Sequence, residues 1–169
     1  MTAPIHSIWL MPAPQDGEFL ASIVADLSRR FGTPFFTPHL TVRGDTDMKL
    51  PALSAAVAQA AGEVAAFSEA VAGIETSEAF FRSFYARFAI APALAALKQR
   101  LDGQANDAFI PHVSLLYGPV EAAAKAAAAA EISAKLAGRR ISFDRLCVVT
   151  SGQDVPIERW HIVETAMLG

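Results

Sequence analysis

Two stretches of the sequence share one pattern, Pro38-His39-Leu40-Thr41 and Pro111-His112-Val113-Ser114. Each has a proline, a histidine, one apolar residue and a hydroxyl residue in that order. Successive side chains of an extended strand point to opposite faces, so the histidine and the hydroxyl of each stretch are predicted to lie on one face. The intervening apolar residue then points into the core. Two such strands facing each other would surround a small anion with two imidazoles and two hydroxyls.

The surroundings of the two stretches indicate an internal repeat. The two histidines lie 73 residues apart, and the same shift aligns other segments of the chain. The aligned pairs are His6–Met11 with Phe81–Arg87, Glu18–Phe31 with Pro92–Gly103, Leu50–Gly62 with Ala123–Lys135, and Ala65–Ile74 with Gly138–Cys147. Identities are few outside the histidine stretches, so the repeat is one of architecture. It predicts strand, helix, histidine strand, helix and strand, twice, and hence two similar lobes.

Strands interleaved with helices indicate an α+β fold. Adjacent strand pairs are expected within Ala65–Ile90 and Arg140–Met167, which favours mixed or antiparallel sheets over a doubly wound parallel one. The first helix is expected to begin at Asp16 as its N-cap, and the histidine strands are expected at Thr37–Arg43 and Phe109–Tyr117. No segment has the composition of a linker, so residues 1–169 are predicted to form a single domain.

Composition limits the class of ligand. The chain has 169 residues, is 53% hydrophobic and 18% charged, and carries a formal net charge of −3. Proteins that hold long nucleic acids through many phosphates are normally basic. We therefore expect a small ligand and no long nucleic acid. The protein is also expected to be a monomer.

The cysteine count and the hydropathy pattern bear on location. Cys147 is the only cysteine and lies in an apolar run, which predicts an inert buried thiol and no disulfide within the chain. The alanine-rich stretch Glu121–Ala137 is interrupted by charges and reads as a helix, so no membrane span is expected. The N-terminus lacks the pattern of a signal peptide. A cytoplasmic protein is the resulting expectation.

The paired histidines suit acid and base catalysis. The unperturbed histidine pKa of about 6.5 allows one neutral and one protonated imidazole near neutral pH. The neutral ring can take a proton from water as it attacks phosphorus, and the protonated ring can supply one to the departing oxygen. Thr41 and Ser114 can donate hydrogen bonds to the non-bridging phosphate oxygens. We expect no cofactor and no metal, and a pH profile with two limbs within a unit or two of about 6.5.

These residues resemble the two-histidine phosphoesterase superfamily. Within it, the resemblance is to the cyclic phosphodiesterases of the plant and yeast type, and it extends over nearly the whole chain. It is carried by Ser7-Ile8-Trp9-Leu10-Met11-Pro12, Phe36-Thr37-Pro38-His39 and His112-Val113-Ser114-Leu115-Leu116-Tyr117-Gly118. That family opens the 1″,2″-cyclic phosphate of ADP-ribose and the 2′,3′-cyclic phosphate of nucleosides.

The resemblance implies a fold and a set of site residues. The fold is bilobal, with two pseudo-symmetric lobes, each an antiparallel sheet with outer helices, and a cleft between them. His39 and His112 are implied to be catalytic, and Trp9, Thr41, Ser114 and Tyr117 to contact the substrate. Plant members carry disulfides that this chain lacks. Tyr117 reaches the cleft only if the second histidine strand bulges or ends before Gly118, because five residues separate it from His112.

Several alternatives remain at the level of sequence. One is action on RNA ends, either opening of a 2′,3′-cyclic phosphate or 2′,5′ ligation. Another is a nucleotide-binding module without turnover, and a third is a purely structural repeat. A metal site lacks a third ligand at a diagnostic spacing. His6 and His161 have no hydroxyl two residues later and are expected to be structural, whereas Arg43, Tyr85 and Arg87 are further candidates for contact with substrate.

Overall fold

The computed structural model describes residues 4–103, 108–152 and 154–169. Within them the helices are α1 (Pro14–Phe31), α2 (Leu50–Glu63), α3 (Pro92–Asp102) and α4 (Ala122–Leu136). The strands are β1 (His6–Pro12), β2 (Leu40–Thr46), β3 (Phe67–Thr76), β4 (Phe84–Phe88), β5 (His112–Leu116), β6 (Arg140–Thr150) and β7 (His161–Met167). Short 3₁₀ helices lie at Phe80–Arg82 and Ile157–Arg159.

The order of these elements contains the expected repeat. The series β1, α1, β2, α2, β3 is followed by β4, α3, β5, α4, β6, and β7 is added at the end. The histidine strands β2 and β5 occupy equivalent places in the two halves. The predicted α+β class and the predicted repeat are therefore confirmed.

All strand pairings are antiparallel, and they connect the two lobes into one sheet. The strand order is β1-β2-β5-β4-β3-β6-β7, and an additional pairing of β1 with β6 closes a circuit of six strands. One lobe consists of β2, β1, β6 and β7, and the other of β5, β4 and β3. The first lobe thus takes β6 and β7 from the second half of the sequence, and the other lobe takes β3 from the first half. The lobes meet where Leu40 lies opposite Val113 and where β3 pairs with β6.

The helices pack on the sheet in a symmetric way. Helix α1 packs on β5 and α3 packs on β2, so each helix covers the histidine strand of the other half. Helix α2 packs on β6 and α4 on β3. The helical side of the sheet holds the main core, which includes Ile8, Leu10, Leu40, Val113 and Leu115. Because side chains alternate, the residues between these positions face the other side of the sheet.

Several element boundaries differ from the sequence-based expectation. The histidine strands begin three residues later than expected, at Leu40 and His112. Helix α1 begins at Pro14 after Ala13, and Asp16 is not its N-cap. The Asp16 carboxylate instead accepts a hydrogen bond of 2.8 Å from the Ser142 backbone N–H. Within Ala65–Ile90, where a pair of strands was expected, a 3₁₀ turn at Phe80–Arg82 precedes β4 and changes the direction of the side chains there.

The sequence predicts a buried thiol at Cys147 and no membrane-spanning helix. The Cys147 side chain is fully buried, and burial raises the pKa of its thiol. In the described residues, none of the helices is long and apolar enough to cross a membrane.

Candidate active site

A cavity of about 580 Å³ lies on the side of the sheet opposite the main core. It is bordered by β1, β2 and β5, by the 3₁₀ turn before β4 and by the segment after β6. Its lining residues are Ser7, Trp9, His39, Thr41, Gly44, Asp45, Ala79, Phe80, Phe81, Arg82, His112, Ser114, Tyr117, Ser151, Gly152 and Trp160. All six site residues expected from the sequence are among them.

His39 lies immediately before β2 and is held on two sides. Its Nδ1 atom is 2.7 Å from the Thr37 carbonyl oxygen. Its ring stacks on Trp9, with 3.5 Å between ring centroids and 7° between the planes. The side chain is buried, with 7% of the residue exposed. Stacking and the hydrogen bond together fix the orientation of the imidazole.

His112 begins β5 and is held in an equivalent way. Its Nδ1 atom is 2.7 Å from the Ile110 carbonyl oxygen. Its ring meets Tyr85 edge to face, with centroids 5.2 Å apart. The residue is half-buried, so His112 is the more accessible of the two histidines.

The strand register shows that the two histidines have equivalent partners. Trp9 of β1 lies opposite Thr41, and Tyr85 of β4 lies opposite Ser114. The aromatic residue that supports each histidine therefore occupies the same place in each half. Tyr85 was a candidate for contact with substrate, but it packs against His112 and does not line the cavity.

The backbone hydrogen bonds decide the tautomer of both rings. A carbonyl oxygen only accepts hydrogen bonds, so Nδ1 carries a hydrogen in both His39 and His112. In the neutral ring, Nε2 is then the unprotonated nitrogen. Both histidines thus keep the nitrogen that accepts or donates the mobile proton free from their backbone partner.

Burial favours the neutral form of both histidines in the free protein. Burial lowers the pKa of His39 to about 4, and the nearby His112 adds to this effect, while the bond to Thr37 opposes it. Burial also lowers the pKa of His112; the bond to Ile110 opposes this, and the positive charge of Arg82 lowers it further. From the sequence, both histidines were expected to have pKa values near the ordinary value of about 6.5, because the sequence contains no measure of burial.

The two hydroxyl residues have different surroundings. None of the described residues forms a hydrogen bond with the Thr41 side-chain hydroxyl, which borders the cavity. The Ser114 hydroxyl donates to the Phe81 carbonyl oxygen at 3.0 Å. Thr41 therefore presents a donor to the cavity, whereas the Ser114 proton is engaged within the protein.

Tyr117 reaches the cavity because β5 ends one residue before it. The strand stops at Leu116, and Gly118 has a φ of 105°, a value that favours glycine. Tyr117 is only 3% exposed and stacks on Phe36 with ring centroids 3.7 Å apart. Burial raises the pKa of its phenol, and the hydrogen bond with Ser114 opposes this rise. The phenol is therefore a neutral donor.

Aromatic side chains form one wall of the cavity. Tyr117 meets Phe81 and Trp160 edge to face, at centroid distances of 5.2 and 6.0 Å. Trp160 in turn lies 6.1 Å from Trp9. The indole N–H of Trp160 donates to the Val155 carbonyl oxygen. Ring contacts thus connect Phe81, Tyr117, Trp160 and Trp9 along this side of the cavity.

Arg82 is a cavity residue that sequence reasoning missed. Strand alternation favoured Arg87, but that side chain is exposed and paired with Glu75 at 3.2 Å. Arg43 donates to the Leu101 carbonyl oxygen and lies outside the cavity. Arg82 enters the cavity because the 3₁₀ turn shifts the phase of this segment. The concentration of aromatic and basic residues in Phe80-Phe81-Arg82-Ser83-Phe84-Tyr85-Ala86-Arg87 was the available signal.

The remaining histidines lie outside the cavity. His6 is buried on β1, and the exposed His161 begins β7. In the described part of the chain, no group of three or more His, Cys, Asp or Glu side chains is arranged to hold a metal ion.

Replacement of Ser114 by alanine is expected to lower the free energy of unfolding by about 1–3 kcal/mol, because the partly buried Phe81 carbonyl loses its donor. Urea denaturation measures the change, and Ser114→Thr, which keeps a hydroxyl, is the matched control. An alanine variant as stable as the wild type would show that this bond contributes nothing to the fold.

Comparisons with known proteins agree with this architecture. The family model described as the 2'-5' RNA ligase superfamily matches residues 18–155. The chain therefore belongs to the 2'-5' RNA ligase superfamily, whose phosphoesterases and ligases act on phosphodiesters. No curated protein sequence matches the chain.

Solved structures show the same fold at low sequence identity. The crystal structure of TT0787 of Thermus thermophilus is similar with a TM-score of 0.65 and 14% identity, covering 97% of both chains. E. coli LigT in its apo form gives a TM-score of 0.62 and 14% identity, covering 99% of this chain and 98% of LigT. E. coli LigT complexed with 3'-AMP gives a TM-score of 0.61 and 14% identity, covering 98% of both chains.

Proposed function

We propose that this protein hydrolyses a small cyclic phosphate, either the 1″,2″-cyclic phosphate of an ADP-ribose derivative or a nucleoside 2′,3′-cyclic phosphate. His39 and His112 are the catalytic acid and base, and the reaction needs no metal. One observation carries the proposal: both imidazoles border one cavity with Nδ1 tied to a backbone carbonyl, which leaves both Nε2 atoms for proton transfer.

The reaction needs one proton transfer on each side of phosphorus. A water oxygen attacks the phosphorus atom while a neutral imidazole takes one of its protons. The bond from phosphorus to one ring oxygen breaks, and the other imidazole, in its protonated form, gives that oxygen a proton. The product is a phosphate monoester with a free hydroxyl. Exchange of protons with solvent restores both rings.

Four further residues are proposed to hold the substrate. The Thr41 hydroxyl donates to a non-bridging phosphate oxygen, since no described residue occupies it. Ser114, at the equivalent place in the second half, contacts the phosphate without donating to it, because its proton is donated to the Phe81 carbonyl oxygen. Trp9 and Tyr117 belong to the aromatic wall, against which a base packs. E. coli LigT has been crystallised with phosphate and with 3'-AMP, which fits a site for a phosphate and a nucleoside.

The family description supports a second candidate, which is action on the 2′,3′-cyclic end of an RNA or formation of a 2′,5′ linkage. The net charge of −3 supports the small substrate instead. A binding module without turnover would not need two histidines held in the same tautomer, so it accounts for less of the geometry.

Product analysis separates these candidates. The purified protein is incubated with adenosine 2′,3′-cyclic phosphate and, separately, with an oligonucleotide that ends in the same group. We expect conversion of the mononucleotide to the 2′-phosphate, with a higher kcat/KM than for the oligonucleotide. Conversion of the oligonucleotide alone would favour the RNA-end activity. Binding without a new monoester would favour the binding module.

The kcat/KM of the wild type is expected to peak on the acid side of pH 6.5. The base must be neutral, so the rate rises as pH increases through its pKa; the acid must be protonated, so the rate falls as pH increases through its pKa. Burial lowers both values in the free protein, that of His39 to about 4. The two limbs of this pH profile belong to the coupled pair of histidines, so neither limb is assigned to His39 or to His112 alone.

Bound substrate is expected to move this profile. The phosphate anion favours the charged imidazole and raises both pKa values, so kcat should peak at a higher pH than kcat/KM. Initial rates across the pH range, at saturating and at low substrate, measure both curves. A kcat/KM that keeps increasing with pH beyond about 6.5 contradicts this account.

A further inference from the structure

The side chain of Arg82 has an unusual environment for a cation. It lies at the end of the 3₁₀ turn and borders the cavity. Its Nε atom is buried and has no hydrogen-bond partner. Within the described part of the chain, Arg82 forms no salt bridge. A buried donor without an acceptor is costly, and this cost is relieved when an anion accepts from it.

Neighbouring rings place the Arg82 charge on the His112 side of the cavity. The guanidinium carbon lies 5.9 Å from the centroid of the Tyr85 ring, within the range of a cation–π contact. Tyr85 in turn packs edge to face against His112. The Arg82 charge is close enough to lower the pKa of His112.

The turn that carries Arg82 is firmly held. The Ser77 hydroxyl donates to the Arg82 carbonyl oxygen, and the Ser83 hydroxyl donates to the Gly118 carbonyl oxygen at 3.0 Å. The buried Lys125 ammonium donates to the Ser77 carbonyl oxygen at 2.8 Å and to the Ser83 hydroxyl at 3.2 Å. These bonds join the turn to α4 and to the end of β5, so the backbone of Arg82 has a fixed position.

The two halves of the site differ in the donor that accompanies each histidine. Beside His39, the Thr41 hydroxyl is available. Beside His112, the only hydroxyl proton of Ser114 is donated to Phe81, the residue before Arg82. A phosphate between the histidines thus lacks a hydroxyl donor on the second side. Among the described residues, Arg82 is the one arginine or lysine that lines the cavity, and its charge acts on His112.

We propose that Arg82 donates hydrogen bonds to the non-bridging oxygens of the reacting phosphate. On the His112 side it thereby replaces the Ser114 hydroxyl, whose proton is donated to Phe81. The proposal rests on the proposed function for the identity of the substrate, since the cavity would bind inorganic phosphate in the same way. A guanidinium also offers a charge that a hydroxyl does not, and charge-assisted hydrogen bonds to phosphate are the stronger kind. The site is therefore asymmetric, with a neutral donor on one side and a cation on the other.

The variants Arg82→Gln and Arg82→Lys test this role, with Arg87→Gln as the matched control on the same segment. The affinity for inorganic phosphate is measured by ³¹P NMR titration, and circular dichroism verifies the fold. Arg82→Gln is expected to weaken phosphate binding and kcat/KM by roughly 10- to 100-fold, the scale of a hydrogen bond to a charged group. Arg82→Lys should recover part of both losses, and Arg87→Gln should resemble the wild type.

A comparison of two substrates shows whether Arg82 contacts the reacting phosphate or a second phosphate on the same nucleotide. Adenosine 2′,3′-cyclic phosphate is compared with the same compound carrying a 5′-phosphate. Equal losses in Arg82→Gln support contact with the reacting phosphate, whereas a loss confined to the 5′-phosphorylated compound overturns it. Unchanged phosphate affinity in Arg82→Gln also overturns it. A further outcome is that the wild type hydrolyses neither compound while Arg82→Gln binds inorganic phosphate more weakly than the wild type. That result supports the phosphate site and contradicts the proposed function.

Discussion

Alanine at either His39 or His112 is expected to lower kcat by on the order of 10²- to 10⁴-fold, the usual contribution of one positioned acid or base. Each imidazole borders the cavity with Nδ1 held by a carbonyl, so removal of either ring deletes one of the two proton transfers. Steady-state kinetics with adenosine 2′,3′-cyclic phosphate measure the effect. The double variant should be little slower than the worse single variant, because the two rings act as a unit.

The controls for this prediction come from the chain itself. His161→Ala removes an exposed imidazole outside the cavity and should keep the wild-type rate. His39→Ala also removes the stacking partner of Trp9, so its fold must be verified by near-UV circular dichroism. A well-folded His39 or His112 variant with nearly normal kcat would refute the two-histidine mechanism.

Replacement of Thr41 by alanine is expected to cost about 2–4 kcal/mol of transition-state stabilisation, the scale of a lost oxyanion donor. No described residue engages its hydroxyl, so in this account the group is reserved for substrate. The loss should therefore lie in kcat/KM and leave the free energy of unfolding almost unchanged.

Thr41→Ser and Ser114→Ala are the matched comparisons. Thr41→Ser keeps the hydroxyl and should keep most of the activity. Ser114→Ala should lose stability first, because its proton is donated to the Phe81 carbonyl oxygen. If Thr41→Ala destabilises the protein without slowing turnover, Thr41 is structural and its proposed contact with the phosphate is wrong.

The repeat and the histidine strands could be predicted from the sequence because both depend on local patterns. Alternation within Pro38-His39-Leu40-Thr41 fixes which side chains share a face, and the spacing to the second stretch aligns the remaining elements. The family model supports the superfamily that these residues indicated, and the solved structures show the same fold. The roles of the individual site residues stay predictions.

The closure of the sheet could not be predicted in this way. The pairing of β1 with β6 joins segments more than 130 residues apart, and no local pattern encodes such a contact. The direction of Arg82 was missed for a related reason. A single 3₁₀ turn changes the phase of side chains, and strand alternation counted from Tyr85 selects Arg87 in its place.

Burial and hydrogen-bond partners also required the structure. The sequence suggested ordinary histidine pKa values, but Trp9 and the surrounding core desolvate His39 and lower its pKa to about 4. It also treated Thr41 and Ser114 as equivalent donors. The Phe81 carbonyl oxygen that engages Ser114 belongs to another segment, so only the folded chain reveals the difference.

The measurement that tests the central claim most directly is ³¹P NMR of adenosine 2′,3′-cyclic phosphate incubated with the wild type and with the His39→Ala and His112→Ala variants, all in excess chelator. The account predicts that the wild type converts the cyclic diester to the 2′-monoester at the same rate with and without chelator, and that both variants leave the diester almost unchanged. Loss of wild-type activity in chelator, restored by Zn²⁺ or Mn²⁺, would contradict it and would make the two histidines metal ligands.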